Sequence, residues 1–170
     1  MPYDPVTGRR AQVVISPETT TNRMNYGRLY EQSLKTAMVE LRDWLADVTG
    51  LNEHSPNLKD SVINLPKEVL QNCFNRIQRF LEITVEKQYK WYCGLDERAK
   101  ILDLYHILKE KFYLYRPTEN PVPYMEMFDT LIKEGFLSPP RKLRFFNPHT
   151  GKEEETTLDH RIGPNYYIFL

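Results

Sequence analysis

Hydrophobic and polar residues follow three successive patterns along the chain, which predict a short β-type start, a helical middle and a β-rich end. The apolar run 11–15, closed by Ser16-Pro17, predicts a short strand that leads into a polar loop. From about residue 25 to residue 48, apolar residues recur every three or four positions, which predicts an amphipathic helix that Gly50 ends. Residues 51–64 lack a clear period and predict a loop with room for a short helical turn.

The same helical spacing continues to about residue 134. Pro66 suits the first turn of a second helix, whose apolar stripe continues until Gly94 closes it. Asp96 can cap a third helix, which Pro117 stops. A fourth, shorter helix is predicted from about residue 123 to residue 134.

Beyond Pro139-Pro140 the spacing changes to that of strands. Residues 143–146 predict a strand, 147–152 a turn and 153–158 a second strand, while the apolar residues 165–170 predict a last strand. Such an apolar terminal strand needs cover for its faces and its edge. Strand 143–146 or another polypeptide could supply that cover, and the sequence leaves both open.

The predicted class is therefore α+β, with a short N-terminal β segment and a β-hairpin and strand exit that flank about four helices. We divide the chain into a segment 1–48 with the long helix, a helical insert 49–120 and a segment 121–170. The 170 residues suit one domain or two small ones. Two cysteines exclude a fold built on disulfides.

Charge narrows the functional classes. The 23 Lys and Arg balance 23 Asp and Glu, whereas a stand-alone nucleic-acid binder usually has a basic excess. Any contact with phosphate must therefore be local. No apolar run approaches the roughly 20 residues that cross a bilayer, and the N-terminus does not resemble a signal peptide. We expect a soluble, intracellular chain without a membrane partner.

The spacing of histidines and cysteines does not favour a metal site or a catalytic thiol. The four histidines, at positions 54, 106, 149 and 160, include no pair at the i, i+4 spacing of helical zinc sites. His149 and His160 lie close in sequence to the acidic run 153–155 and to Asp159. We interpret this group as the charged surface of a hairpin rather than as a metal site. Cys73 falls on an apolar stripe and is predicted to act as a small buried hydrophobe. Cys93, near a helix end, has no catalytic motif around it.

Aromatic residues interleave with basic ones between positions 87 and 116. Their rings could stack on bases, or they could form part of the core while the basic residues form a solvated rim, and helical spacing favours the core. The aromatic residues are Tyr89, Trp91, Tyr92, Phe112, Tyr113 and Tyr115. The basic residues are Lys87, Lys90, Lys109, Lys111 and Arg116.

Four arginines concentrate positive charge near the N-terminus, at positions 9, 10, 23 and 28. An arginine just before a helix can hold a phosphate with its planar guanidinium while the free N–H groups of the helix assist. The alternative is contact with solvent or with a neighbouring carboxylate.

Two sequence blocks resemble a known family. The first contains Met1-Pro2-Tyr3, a turn with Gly8, the apolar run to Ile15, and then Asn22-Arg23-Met24-Asn25-Tyr26-Gly27-Arg28. The second contains Leu131–Gly135, Lys142–Phe146, the turn Asn147–Lys152 and Gly163–Ile168. Over residues 1–35 and 125–170 the chain resembles the beta subunit, the second-largest catalytic subunit, of multi-subunit DNA-directed RNA polymerases. Residues 50–120 carry no such resemblance.

The resemblance implies a role in RNA synthesis. Arg23 would reach the triphosphate of the incoming nucleotide, with Met24, Asn25, Gly27 and Arg28 as its supporting motif. The chain lacks the family's cluster of aspartates, so the Mg2+ ions would be bound by a partner subunit and no catalytic residue would lie in this chain. Its implied partners are the other polymerase subunits, the NTP, the DNA template and the RNA–DNA hybrid.

The chain also departs from the family pattern. Thr20-Thr21-Asn22 stands where the family usually has Gly-Val-Pro-Ser, Arg28 stands for Gln, and Asn147-Pro148 stands for Asp-Gly. These differences indicate a divergent member of the family, of the kind that a large bacteriophage with split genes encodes, active in the host cytoplasm or carried in the virion. The missing aspartates and the missing flanking segments of the family imply that the chain is a middle piece of a subunit. The alternative is a non-catalytic interaction module that uses the helices at 66–115. A free-standing nucleotide enzyme is disfavoured because the sequence has no phosphate loop and no metal-ligand set.

Overall fold

The computed structural model describes residues 1–15, 27–115 and 123–164 of the chain. These residues form six α-helices followed by a two-stranded antiparallel sheet, which confirms the predicted α+β class. The helices are α1 (Gly27–Thr49), α2 (Leu58–Ile63), α3 (Lys67–Thr84), α4 (Glu86–Cys93), α5 (Glu97–Lys109) and α6 (Tyr124–Lys133). The strands are β1 (Arg144–Asn147) and β2 (Lys152–Glu155). None of the described helices is long and apolar enough to cross a membrane.

The prediction of about four helices is too low for the described residues. The helix predicted from Pro66 to Gly94 is interrupted at Val85, whose backbone is extended (φ −146°, ψ 96°) and which is buried. The cause is local, because Ile83, Thr84 and Val85 are all β-branched and the Thr84 hydroxyl donates a 2.8 Å hydrogen bond to the Phe80 carbonyl. The additional helix α2 falls within the predicted loop 51–64.

The predicted strand at 11–15 is wrong. The backbone there forms no ladder, and Val13, Val14 and Ile15 are exposed. A strand with three consecutive apolar residues is stable only when both of its faces are covered, and Val13, Val14 and Ile15 lack that cover. The N-terminal β pairing occurs instead at Tyr3, which bridges Arg10 and Arg144.

The described chain divides into two compact units. One, which we call the terminal unit, is Met1–Thr36 with Leu137–Leu170, and the other, the helical unit, is Ala37–Phe136. Both limits drawn from the sequence, after residues 48 and 120, fall inside the helical unit.

The helical unit has its core around α3, which packs against α4, α5 and α6. Phe80 lies in this core with an edge-to-face contact to Phe112 (5.4 Å between ring centroids) and a tilted contact to Phe136 (5.6 Å). Arg76 crosses the Phe136 ring at 3.7 Å and donates hydrogen bonds to the carbonyls of Glu134 and Gly135. These bonds satisfy carbonyls that the C-terminus of α6 leaves without a helical partner.

The terminal unit contains the hairpin of β1 and β2. Its register pairs Arg144 with Glu155 and Asn147 with Lys152, which confirms the predicted strand, turn and strand. Tyr3 extends this sheet, because its N–H and C=O both bond to Arg144, at 2.8 and 2.9 Å. The predicted last strand, 165–170, lies outside the described residues.

Candidate functional site

The centre of the predicted site falls outside the described residues. Arg23, Met24 and Asn25 belong to that part of the chain, whereas Gly27 and Arg28 form the first turn of α1 and are exposed. A Cβ on Gly27 would meet no described atom within 4 Å, so nothing among the described residues demands glycine at this position. The first turn of α1 has no acidic residue, so no carboxylate within it offsets the positive end of the helix dipole.

The chain around Arg161 packs against the first half of α1. The Arg161 guanidinium donates from Nη1 to the Ser33 hydroxyl at 3.2 Å and from Nε to the Ser138 carbonyl at 3.0 Å. The side chain is half-buried, which strengthens both hydrogen bonds relative to exposed ones. Arg161 therefore connects three stretches of the terminal unit.

Gly163 makes the closest approach to this helix. A Cβ at Gly163 would lie 1.8 Å from Thr36 Oγ1 and 3.2 Å from Thr36 Cβ, so space rather than backbone conformation requires glycine. Thr36 is fully buried, and its hydroxyl donates to the Gln32 carbonyl at 2.7 Å. The first and second resemblance blocks are thus in direct contact where Arg161 bonds to Ser33, and Gly163 lies beside Gln32, whose Cγ would be 3.4 Å from a Cβ at Gly163.

The N-terminal turn is organised by the buried carboxylate of Asp4. This carboxylate accepts hydrogen bonds from the Val6 N–H (2.9 Å) and the Thr7 hydroxyl (2.8 Å), and Arg141 Nη1 lies 3.7 Å away. Burial opposes the charged form, but the two hydrogen bonds and the charge of Arg141 outweigh it and hold the pKa of Asp4 below its usual value. The turn that precedes Arg9 and Arg10 is therefore fixed by a charged group.

Of the N-terminal arginines, Arg10 lies with its guanidinium 5.7 Å from the centre of the Tyr3 ring. The Tyr3 hydroxyl in turn donates to Glu153 at 3.0 Å. Arg144 on β1 forms an ion pair across the hairpin with Glu155 on β2, at 3.2 Å. Positive and negative groups thus alternate across this sheet, as expected for a charged hairpin surface.

The acidic side chains of the hairpin already serve as hydrogen-bond acceptors. Glu154 accepts from the Thr150 hydroxyl (2.6 Å) and from the Asn147 side-chain amide (3.0 Å), and these bonds lower its pKa. Across the described ranges, no group of three or more His, Cys, Asp or Glu side chains is placed to hold a metal ion.

Cys73 is fully buried, as predicted, and burial raises the pKa of its thiol to about 11. At neutral pH the thiol therefore stays protonated and is a poor nucleophile. Cys93 is exposed.

The aromatic residues of the middle region divide into two groups. Tyr92 and Phe112 are buried, in agreement with the predicted core. In contrast, Trp91 is 55% exposed, and Tyr113 and Tyr115 are each 71% exposed, so the core interpretation is wrong for these three rings.

Sequence reasoning missed Arg161, Thr36 and Asp4, which make contacts within the terminal unit without belonging to any recognisable motif. Only Gly163 gave a signal, as the first residue of Gly163-Pro164 in the second resemblance block. Arg161 and Thr36 contact positions far apart in sequence, which leaves no periodic trace, whereas the Asp4 carboxylate bonds to the neighbouring Val6 and Thr7.

No protein-family model matches this chain, and a search of curated proteins finds no match.

Proposed function

We propose that this chain is a divergent segment of the beta subunit of a DNA-directed RNA polymerase, of the type encoded by large bacteriophages. In that assembly it supports nucleotidyl transfer by contacting the triphosphate of the incoming NTP beside the RNA–DNA hybrid. The chain is inactive alone, because the aspartates that bind Mg2+ belong to a partner subunit. Its working place is the host cytoplasm or the virion.

One observation carries the proposal. The two resemblance blocks, 1–35 and 125–170, are separated by a long helical stretch, yet most of both lies in the terminal unit. Within that unit Tyr3 pairs with Arg144, and Arg161 donates a hydrogen bond to Ser33. Two parts of one nucleotide site must fold together, and these two blocks meet that requirement. Residues 125–136 of the second block belong to the helical unit.

Charge supports a phosphate role for the terminal unit. Its two segments carry ten Lys and Arg against seven Asp and Glu, whereas the helical unit carries thirteen against sixteen. Arg23 precedes α1, whose first turn adds Arg28 and has no acidic residue. A guanidinium before a helix N-terminus can neutralise the charge that develops on the departing pyrophosphate.

The test is single-nucleotide addition by the assembled polymerase with Arg23→Ala. We expect the efficiency of addition to fall about 100-fold, the usual effect of removing one group that stabilises the transition state. Assembly should be unchanged. Arg98→Ala, which removes an exposed arginine of the helical unit, is the matched control and should retain full activity. Addition at the wild-type rate by the Arg23 variant would remove the role.

The wider proposal is tested by affinity purification of the tagged chain from its native source. Mass spectrometry should find a co-eluting chain with the aspartate cluster, and the eluate should transcribe DNA. Recovery of a folded chain without such a partner would contradict the proposal and favour the non-catalytic interaction module built on the helices at 66–115.

A further inference from the structure

Three exposed aromatic rings form a surface of the helical unit that the polymerase proposal does not use. They belong to Trp91 on α4 and to Tyr113 and Tyr115 in the segment that follows α5, and we call them the aromatic face. Single exposed aromatic residues are common, but a group of large exposed rings marks a binding surface.

The backbone under the two tyrosines is held in place. The Gln88 side-chain amide donates to the Tyr113 carbonyl at 3.2 Å, and its oxygen accepts from the Tyr115 N–H at 2.8 Å. Between α5 and this clamp, Phe112 is buried against Phe80. Burial alternates along this segment, since Phe112 is buried, Leu114 is half-buried, and Tyr113 and Tyr115 are exposed, so the clamp leaves both tyrosine rings facing solvent.

Gln88 also relates the tyrosines to Trp91. Residues three apart on a helix are surface neighbours, and Gln88 and Trp91 have that spacing on α4. The three rings therefore occupy one region of the helical unit. Because the backbone is already ordered, binding there would lose little conformational freedom.

Lysines lie beside the tryptophan. Lys87 is exposed and stands four residues before Trp91 on α4, which makes the two side chains surface neighbours, and the exposed Lys90 precedes Trp91 directly. Lys111 precedes the tyrosine segment in the sequence, whereas Lys109 lies over the Tyr105 ring at 5.4 Å. Lys90 pairs with Glu86 at 2.6 Å, but both side chains are about 70% exposed, so this pair is weak and an anion can compete for the lysine. The positive excess is local, because the helical unit as a whole carries more acidic than basic residues.

The lysines identify the class of partner. Protein–protein interfaces favour Trp and Tyr but are poor in Lys, so a protein partner accounts for the rings and not for their rim. An unpaired nucleic-acid strand accounts for both, since its bases stack on aromatic side chains while lysines contact its phosphates. A duplex offers no exposed base faces to these rings.

We propose that the aromatic face binds an unpaired nucleic-acid strand, with bases stacked on Trp91, Tyr113 and Tyr115. This binding surface lies wholly in the helical unit. The proposal therefore does not depend on a contact between Arg23 and a triphosphate.

The test is fluorescence anisotropy of the full chain with labelled oligouridylate and oligothymidylate of about 12 nucleotides, a length within the usual site size. We expect both strands to bind at low salt, and a duplex of equal length to bind more weakly. A preference for one strand would identify RNA or DNA as the natural ligand. Equal or tighter binding of the duplex would overturn stacking, and failure to bind either strand would overturn the proposal and leave a protein partner.

Variants locate the binding surface. Tyr113→Ala, Tyr115→Ala and Trp91→Ala should each weaken binding at least about fivefold, while Tyr113→Phe, which keeps the ring, should retain the wild-type affinity. Phe146→Ala, which removes a 60% exposed ring of the terminal unit, is the matched control. Lys87→Gln should lower the slope of the logarithm of the binding constant against the logarithm of the salt concentration by about 1, the value for one lost phosphate contact. Circular dichroism would check that each variant is folded, and alanine variants that bind like the wild type would refute this location.

Discussion

The contact between Gly163 and Thr36 offers the sharpest test of how the terminal unit is built. In Gly163→Ala the new methyl carbon would stand 1.8 Å from Thr36 Oγ1, which is roughly half a normal van der Waals separation. Thr36 is fully buried and lies within a helix, so neither its side chain nor its backbone can move away freely. We expect the variant to destabilise the terminal unit by about 3 kcal/mol, the upper part of the range for overpacking.

A second substitution separates this clash from other effects of the alanine. Thr36→Ala alone removes one buried methyl group and a hydroxyl that bonds only within its own helix, at a cost of about 1 kcal/mol. In the double variant the hydroxyl is gone, and the nearest remaining atom is the residue 36 Cβ at 3.2 Å. The double variant should therefore be more stable than the sum of the single effects predicts, by about 1 to 2 kcal/mol.

Hydrogen exchange is the suitable assay, since the only tryptophans, Trp44 and Trp91, both belong to the helical unit and do not report on the terminal unit. Mass spectrometry of peptides from residues 29–36 and 141–156 would give the opening free energy. Gly94→Ala is the control, because its Cβ would meet only carbonyl oxygens at 3.4 and 3.8 Å. Additive effects within about 0.5 kcal/mol, or an unaffected Gly163 variant, would refute the packing described here.

Two further predictions concern the helical unit. Arg79 donates to Glu134 at 2.8 Å, and this bond is the main reason that the pKa of Glu134 is lowered. A carboxyl with a lowered pKa stabilises the fold above its unfolded pKa of about 4.3, so Glu134→Gln should cost at most about 1 kcal/mol at neutral pH. That difference should diminish as the pH of urea titrations is lowered below about 4.3 and through the folded-state pKa of Glu134, and a difference that did not depend on pH would exclude the charge as its cause. Tyr92 is fully buried, and its hydroxyl has no partner among the described residues, so Tyr92→Phe should raise the free energy of unfolding by about 1 kcal/mol. If Tyr92→Phe instead lowered the free energy of unfolding by a comparable amount in a urea titration, the hydroxyl would have a partner.

Local signals predicted the regular elements well. The amphipathic period up to Val48 corresponds to α1, which ends at Thr49, and Gly50 follows with a positive φ of 68°. Asp96 caps α5 as predicted, since its carboxylate accepts from the Ala99 N–H at 2.8 Å. Caps, glycine stops and periodicity act between residues close in sequence, which is why the sequence alone reveals them.

The sequence left the aromatic rings open between stacking on bases and the core, and the exposure of Trp91 could not be predicted because it depends on the interruption at Val85. In an unbroken helix, steps of seven residues lead from the buried Ile77 through the buried Thr84 to Trp91, and this spacing would place Trp91 on the core side. The extended residue changes the rotation of α4, so Trp91 faces solvent. Tyr92 follows the buried Phe74 by five full helical turns and would face the core of an unbroken helix too, so the interruption changes the exposure of Trp91 alone.

The candidate nucleotide site shows a different limit of sequence reasoning. The motif around Arg23 predicted the residues of the nucleotide site. The contacts that support α1, the helix after this motif, come from Arg161 and Gly163, more than a hundred residues later. Such contacts depend on how the chain returns to α1, and no local pattern encodes that path.

The net charge of zero is the sum of two units with opposite charge. Composition argued against a stand-alone nucleic-acid binder, yet the terminal unit has a basic excess and the helical unit an acidic one. Within the acidic unit, the lysines around Trp91 and the tyrosines form a local exception. Electrostatic attraction is screened beyond about 10 Å at ordinary salt, so a strand near these rings responds to the neighbouring lysines more than to distant carboxylates. For this chain the local arrangement of charge therefore says more about phosphate binding than the total does.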